Sequence, residues 1–364
     1  MAMTNPFETV SFQHGPSAKN RFMLAPLTNQ QSQADGVLSD EEFRWLTMRA
    51  AGGFGITTTC ASHVQASGQG FPGQLGSFSE AHLDGLTRLA EGIKAHGSVA
   101  ILQLHHAGMR APRELTGEAP VAPYADDETD ARALTTSEIE EVITSFIDAA
   151  RRADRAGFDG VELHGAHGYL LCEFLEPERN RRDDAYGGTL ENRCRIFVEI
   201  INGIRRACRE DFHVALRLSP ERFGMSTSDV LAFYRQLVAG HSLDMIDLSL
   251  WDVFKEAIDD EFVGRTLLEL FADVNRGTTR LAGAGKLHCG ADVRRALDAG
   301  LDLVIVGRAA ITNHNFPHQV LKNPDFAMRT LPVSAELLRR EGLSDQFVNY
   351  MRGWRGFVSE DARE

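Results

Sequence analysis

The stretch TTSEIEEVITSFIDAARRADRAGFDGVELHGAHGYL, residues 135–170, changes its hydrophobic period halfway along. In the first part Ile139, Val142, Ile143, Phe146 and Ile147 recur every three or four residues, which is the stripe of an amphipathic helix. Thr135 or Thr136 stands where an N-cap is needed, and Gly157 where a helix stops. FDGVELH (158–164) follows as a short apolar run with strand character. The strand ends in a polar group: His164, then His167, then Tyr169.

The same alternation extends in both directions. Further apolar runs are FMLAP (22–26), GITTT (55–59), SVAILQL (98–104), HVALRLS (213–219), DMIDLSL (244–250), TRLAGAG (279–285) and LDLVIVG (301–307). Helix-length amphipathic segments lie between them, such as SEAHLDGLTRLAEGIKAHG (79–97) and TLENRCRIFVEIINGIRRACRE (189–210). Strands alternating with helices build a parallel sheet, and about eight repeats close it into a (β/α)8 barrel. An open doubly wound sheet is the alternative, but it places a glycine fingerprint after its first strand. Here the first run ends in Pro26 and is followed by Leu27. The reading is an α/β protein, a TIM barrel of one domain with an N-terminal cap. The barrel is assigned to residues 1–330 and a C-terminal helical extension to 331–364, packed on the barrel or on a neighbouring subunit. In the extension Phe347, Tyr350, Trp354 and Phe357 are spaced as an aromatic helical stripe, a docking face that leaves a homodimer open. A sharper reading makes the stripe a wall of an active site.

Composition narrows the class. The formal charge of −13 argues against nucleic acid or an anionic membrane as partner. The five cysteines form no CxxC pair, which fits free thiols in a reducing cytoplasm. No basic and apolar leader opens the chain, and no uncharged apolar run approaches the ~20 residues of a membrane span. The expected partner is a small molecule.

In a barrel, function gathers at the C-terminal ends of the strands. Those ends carry Thr28, Gln103, His164, His167, Arg217, Gly285, Lys286, Gly307 and Arg308. Gln103 and Arg217 lie within apolar runs, where an amide or a charge needs a specific partner. AGAGKLHCGAD (282–292) and IVGRAAI (305–311) occupy the loops after the last two strands, a common phosphate site. The histidine pair allows three readings. One is a metal site of a barrel hydrolase, for which no HEXXH or HxH pattern is present. A second is a pair of satisfied core histidines. The third is an oxyanion site, in which two imidazoles hold a ligand oxygen and Tyr169 delivers a proton to carbon. Reduction of an activated alkene needs that pairing and a hydride donor, and a barrel with a phosphate site suits flavin mononucleotide.

The residues then become familiar. The chain resembles the Old Yellow Enzyme family of FMN-dependent ene-reductases, from NRFMLAPLT (20–28) to VIVGRAAI (304–311). Its most specific part is HGAHGYLLCEFLEPERNRRDDAYGGTLENR (164–193), joined by QLHHAG (103–108) and ALRLSPERF (215–223). The resemblance implies that Ala25, Pro26, Leu27, Thr28 and Ala61 line the isoalloxazine, with Gln103 and Arg217 along its pyrimidine side. It places Gly307 and Arg308 on the phosphate with Gly285 and Lys286. His164 and His167 would bind the substrate oxygen, and Tyr169 would be the proton donor. Activated C=C bonds of enones, enals, maleimides and nitroalkenes would be reduced by hydride from flavin N5, with NADPH or NADH as electron source. The resemblance implies no metal. Some members carry a redox-tuning cysteine where this chain has Thr28, and one branch has tyrosine where it has Gln30. His105 and His106 receive no role. Relatives fused to an iron–sulfur cluster need clustered cysteines after the barrel, whereas the last cysteine here is Cys289. Direct reduction by NAD(P)H is therefore expected, and a related flavin dehydrogenase acting on another substrate class remains the nearest alternative.

Overall fold

The computed structural model describes residues 4–240 and 242–359. Eight parallel strands close into a barrel: β1 (Phe22–Leu24), β2 (Ile56–His63), β3 (Val99–His105), β4 (Gly160–Gly165), β5 (His213–Leu218), β6 (Met245–Ser249), β7 (Arg280–Ala284) and β8 (Leu303–Val306). Closure is made at β1, where Leu24 stands opposite Thr57 of β2 and Val306 of β8. Each strand falls within a few residues of its predicted run. β2 and β3 extend further than read, to His63 and His105, so that they reach into the functional mouth.

The main outer helices are α1 (Asp40–Ala51), α2 (Leu83–Lys94), α3 (Thr136–Arg155), α4 (Leu190–Ala207), α5 (Thr227–Ala239), α6 (Leu267–Ala272), α7 (Gly290–Asp298) and α8 (Phe316–Lys322). In α3 the predicted stripe is the buried face, and Thr135 is the cap. Thr135 Oγ1 accepts from the Glu138 N–H at 3.2 Å, while Glu138 Oε2 accepts from the Thr135 N–H at 2.8 Å. This reciprocal box satisfies two donors that a helix start otherwise leaves bare. Thr189 caps α4 in the same position.

The barrel interior is divided along its axis. Near the N-terminal end Met23, Ile56, Ile101, Ala215, Met245, Ala282, Leu303 and Ile305 form a closed apolar plug. Val10 and Ala18 join it from the N-terminal segment, where they pair with each other and cover that end. Toward the other end the inward positions turn polar: Gln103, Glu162, His164, Arg217 and Asp247, all buried.

The chain after β8 returns over the barrel as α9 (Ala335–Arg340) and α10 (Asp345–Arg352). Their apolar faces form a second core with Trp45 of α1 and Ile311. The fully buried Arg49 of α1 stacks 3.1 Å over the Trp45 ring and donates to the Ala310 carbonyl. Glu341 accepts from His314 and Arg329. Burial pushes the Glu341 carboxyl up, but these hydrogen bonds prevail and hold it at about 2. The predicted aromatic stripe is not one helix. α10 ends at Arg352 with Gly353 as its cap, and Trp354 and Phe357 follow in a turn closed by Gly356 at φ 74°. Phe347 and Phe357 are core, whereas Tyr350 and Trp354 face a cavity. Phe347 is fully buried, with its ring 5.4 Å from that of Trp45. Phe347→Ala is expected to lower the unfolding free energy by about 3–5 kcal/mol. Urea unfolding checks this, and a loss below about 1 kcal/mol would show that the extension contributes little to the core.

Candidate active site

Because every barrel strand runs the same way, all C-terminal ends converge on one mouth. A cavity of about 870 Å³, measured out to the solvent, opens there. Its lining includes Ala25, Pro26, Leu27 and Thr28 after β1, Ala61 of β2, Gln103 of β3, His164 of β4 and Arg217 of β5. His167, Tyr169 and Arg308 complete the expected residues found in its wall. The loop after β1 is held from behind by the buried Glu42, which accepts from Asn29 at 3.0 Å and from Cys60 at 2.8 Å.

His164 and His167 face each other, with His164 Nε2 3.3 Å from His167 Nδ1. His167 adopts a left-handed backbone, φ 64°, which costs a non-glycine residue free energy. Three bonds hold it there. Its N–H donates to Ser219 Oγ at 3.1 Å, its carbonyl accepts from Arg110 at 2.8 Å, and its Nε2 lies 2.7 Å from Ser249 Oγ. Gly168 continues the turn at φ 69° and packs against Phe223, which a Cβ there would approach to 3.0 Å. The turn delivers the Tyr169 ring edge-on to His164, with centroids 5.2 Å apart, and beneath the Arg110 guanidinium at 4.6 Å.

Burial sets the protonation states. It pushes the His167 imidazole down to about 3, helped by Arg217 and Arg110. His164 is also held well below the usual imidazole range, by burial first and then by His167 and His105. Burial raises the Tyr169 phenol, and Arg110 opposes only part of that. At neutral pH the site holds two neutral imidazoles and a protonated phenol. His105 stands beside Tyr169 with ring centroids 4.5 Å apart, and its Nδ1 lies 3.0 Å from the Gln74 amide nitrogen.

The remaining expected residues lie elsewhere. Gly307 caps the short helix Arg308–Thr312 behind Arg308, and a Cβ on it would stand 3.7 Å from Ala25 and Leu27. Gly285 and Lys286 follow β7 and are not part of the cavity wall. A Cβ on Gly285 would meet the Asp252 backbone nitrogen at 2.7 Å, so this glycine permits close packing of two loops. Lys286 Nζ is 3.0 Å from Asp252 Oδ2 and is committed to that carboxylate.

Several residues escaped the sequence reading. Phe71, Ile311 and Met351 line the cavity, and nothing in their local sequence signals it. Ser249, Glu162 and Asp247 carried the same signal as Gln103 and Arg217, being polar residues inside apolar strand runs. Asp247 Oδ2 is 2.9 Å from Arg217 Nε, and Gln103 donates to Glu162 Oε1 at 2.8 Å.

The donor set fits a flavin mononucleotide. An apolar wall from Ala25 to Thr28 gives a surface for a flat ring. Gln103 and Arg217 supply an amide and a guanidinium along one side, and Arg308 with the start of its helix supplies donors for a phosphate. Fold and site together define a flavin-dependent oxidoreductase on a (β/α)8 barrel.

Comparison with known proteins places it further. The model of the NADH:flavin oxidoreductase / NADH oxidase family matches residues 7–325. The probable NADH-dependent flavin oxidoreductase YqiG of Bacillus subtilis is 32% identical over 336 residues, covering 89% of this chain and 90% of that protein. An NADH:acrylate oxidoreductase of Vibrio harveyi is 31% identical over 94% of this chain, which spans only 35% of that longer protein. The old yellow enzyme homologue of Zymomonas mobilis superposes with a TM-score of 0.80 at 26% identity, covering 94% of this chain and 99% of that one. The chain belongs to the NADH:flavin oxidoreductase / NADH oxidase family, that of Old Yellow Enzyme. It is an NAD(P)H-dependent flavin oxidoreductase with FMN as cofactor, and relatives named NADPH dehydrogenase are also matched. The metal-hydrolase reading of the histidines is thereby set aside. No helix among the described residues is long and apolar enough to cross a membrane.

The buried imidazoles make stability depend on pH. Burial pushes His106 and His167 down to about 3 and His63 and His213 to about 4, with His105 and His164 also well below the usual value. In the unfolded chain these groups take up protons near pH 6.5. The unfolded state therefore binds more protons as pH falls, and stability falls with it from about pH 6.5 downward. Each group contributes up to about 1.4 kcal/mol per pH unit. The urea midpoint is expected to drop between pH 7 and pH 5, and an unchanged midpoint would refute neutral burial.

Proposed function

We propose that the enzyme reduces carbon–carbon double bonds conjugated to a carbonyl or nitro group, such as enones, enals, maleimides and nitroalkenes. The observation that carries the reading is the facing pair of neutral imidazoles, His164 and His167, with the protonated Tyr169 phenol against them in one cavity. The name of the Vibrio harveyi relative supports it, since acrylate is an alkene conjugated to a carboxylate.

FMN, once reduced by NAD(P)H, supplies the hydride. His164 and His167 hold the substrate oxygen between their nitrogens. As the alkene is reduced, negative charge develops on that oxygen, and donors already in place stabilise it without reorganising. Neutral imidazoles suit this role because they donate a hydrogen bond and keep their proton. The Ser249 contact fixes the His167 ring. Tyr169 gives its proton to the α-carbon, and its raised pKa keeps it loaded for that step. Arg110 over the ring favours the phenolate left behind. Ala25, Pro26, Leu27, Thr28 and Ala61 form the wall for the flavin ring, with Gln103 and Arg217 beside its pyrimidine. Gly307 and Arg308 hold its phosphate. Tyr350, Met351 and Trp354 close the cavity from the C-terminal extension and exclude water from the charged oxygen.

The purified protein is expected to show flavin absorption that bleaches with NADPH under anaerobic conditions and returns with cyclohexenone. A bleached flavin that no activated alkene reoxidises would overturn the substrate class. Tyr169→Phe should slow alkene reduction by about 100-fold or more while leaving flavin reduction by NADPH nearly intact. Equal losses in both half-reactions would remove Tyr169 from the proton step. His164→Ala should weaken binding of phenols, which mimic the enolate, by at least about tenfold, because a hydrogen bond to a charged oxygen contributes about 1.5–3 kcal/mol. Unchanged phenol affinity would count against the oxyanion pair.

A further inference from the structure

The barrel interior beneath the cavity holds two carboxyl groups, and they are not equivalent. Glu162 and Asp247 are both fully buried. Asp247 has a cation of its own, Arg217 at 2.9 Å. Glu162 is partnered by a neutral group, the Gln103 amide, which donates to Oε1 at 2.8 Å. Its other oxygen, Oε2, is buried and has no hydrogen-bond partner; the Asp247 oxygens lack a hydrogen bond too, but they have the guanidinium ion pair. An ionised carboxylate in that position would be expensive, whereas a carboxylic acid with its proton on Oε2 is far less so. Burial, reinforced by Asp247, pushes the Glu162 carboxyl up, and Arg217 and Gln103 oppose this without prevailing.

We propose that Glu162 is a proton-holding positioning residue for the flavin. It fixes the Gln103 amide, and its retained proton keeps the charge beneath the FMN site from turning negative, which raises the potential at which FMN accepts electrons. This rests on the placement of Gln103 and Arg217 beside FMN proposed above. Reduction adds negative charge above Glu162, so Glu162 holds its proton more tightly in the reduced enzyme than in the oxidised one. Between those two affinities, reduction takes up one further proton per two electrons. The midpoint potential then falls more steeply with pH, by about 30 mV per pH unit.

The titratable groups facing Glu162 are Asp247 on β6, which burial pushes up to about 6 against the opposing Arg217, and Arg217 itself on β5. His164 on its own strand and His105 on β3 lie one inward position closer to the mouth, and burial keeps both neutral. Neither imidazole supplies a competing titration in this range.

The test is the FMN midpoint potential of the holoenzyme, measured by anaerobic reductive titration between about pH 6 and 9, where a buried carboxyl can titrate. The wild type should show the steeper segment. Glu162→Gln keeps the shape and cannot ionise, so it should lose that segment while matching the wild-type potential at the acidic end. Asp247→Asn removes the neighbouring anion and should move the segment to lower pH. A segment that survives in Glu162→Gln overturns the proposal. Should Glu162→Gln fail to retain FMN, Asp247→Asn decides, and an unmoved segment overturns it. Arg217→Met separates the two claims. An unchanged potential in that variant would overturn the placement of FMN over Arg217, whatever Glu162 does.

Discussion

Closure of the parallel barrel is the constraint on which everything else depends. β1 contributes only three residues, yet Leu24 pairs on one side with Thr57 and on the other with Val306. With that seam made, no sheet edge remains in the barrel, and all eight strands point the same way. Their C-terminal ends must then meet at one mouth, and residues from position 25 to position 308 become neighbours there. The strained His167 turn persists because β5 and β6 already fix Ser219 and Ser249, and Arg110 adds a third bond to its carbonyl.

The interior divides its labour along the axis. The lower half is apolar and sealed by Val10 and Ala18, so it supplies stability. The upper half carries Gln103, Glu162, Arg217 and Asp247 in a dry environment, which is costly without partners. The partners are mutual: amide to carboxyl and guanidinium to carboxylate. This layer is the floor of the cavity, and its charge state acts on whatever is bound above it. The same low-dielectric setting keeps His164 and His167 neutral and Tyr169 protonated. Burial that costs stability in acid is therefore also what would prepare these groups for the proposed chemistry near neutral pH.

The C-terminal extension ties cavity and core together. Arg49 stacks on Trp45 and holds the Ala310 carbonyl, while Arg329 and Glu341 brace the chain that follows. Ala310 lies in the short helix that begins at Arg308, and Ile311 of that helix faces both the second core and the cavity. Packing of α10 thus positions Tyr350 and Met351 in the wall at the same time as it buries Phe347.

Much of this was legible in the residue order alone. The eight strands were visible because each is a short apolar run, buried on both faces, set between segments of helical period. Gln103, Arg217 and the His164 to Tyr169 group stood out because polar residues in such runs require partners, and eleven of the expected residues share one cavity wall, from Ala25 through Arg308. Other features depend on distance in space, which the linear order does not encode. Lys286 read as a phosphate ligand, but Asp252, on the loop after β6, lies closer to it than any sequence spacing reveals. The aromatic stripe suggested one helix, whereas Gly353 and Gly356 end α10 and send Phe357 to the core and Trp354 to the cavity. The unequal surroundings of Glu162 and Asp247 were hidden as well. Both are acids in apolar strands, and only the register of β3 to β6 gives one an amide and the other a guanidinium. Periodicity and residue type determined the barrel and the composition of its mouth, because both are local properties of the chain. Which charge meets which partner was decided by the tertiary structure, because pairing follows strand register and loop contact across the closed sheet.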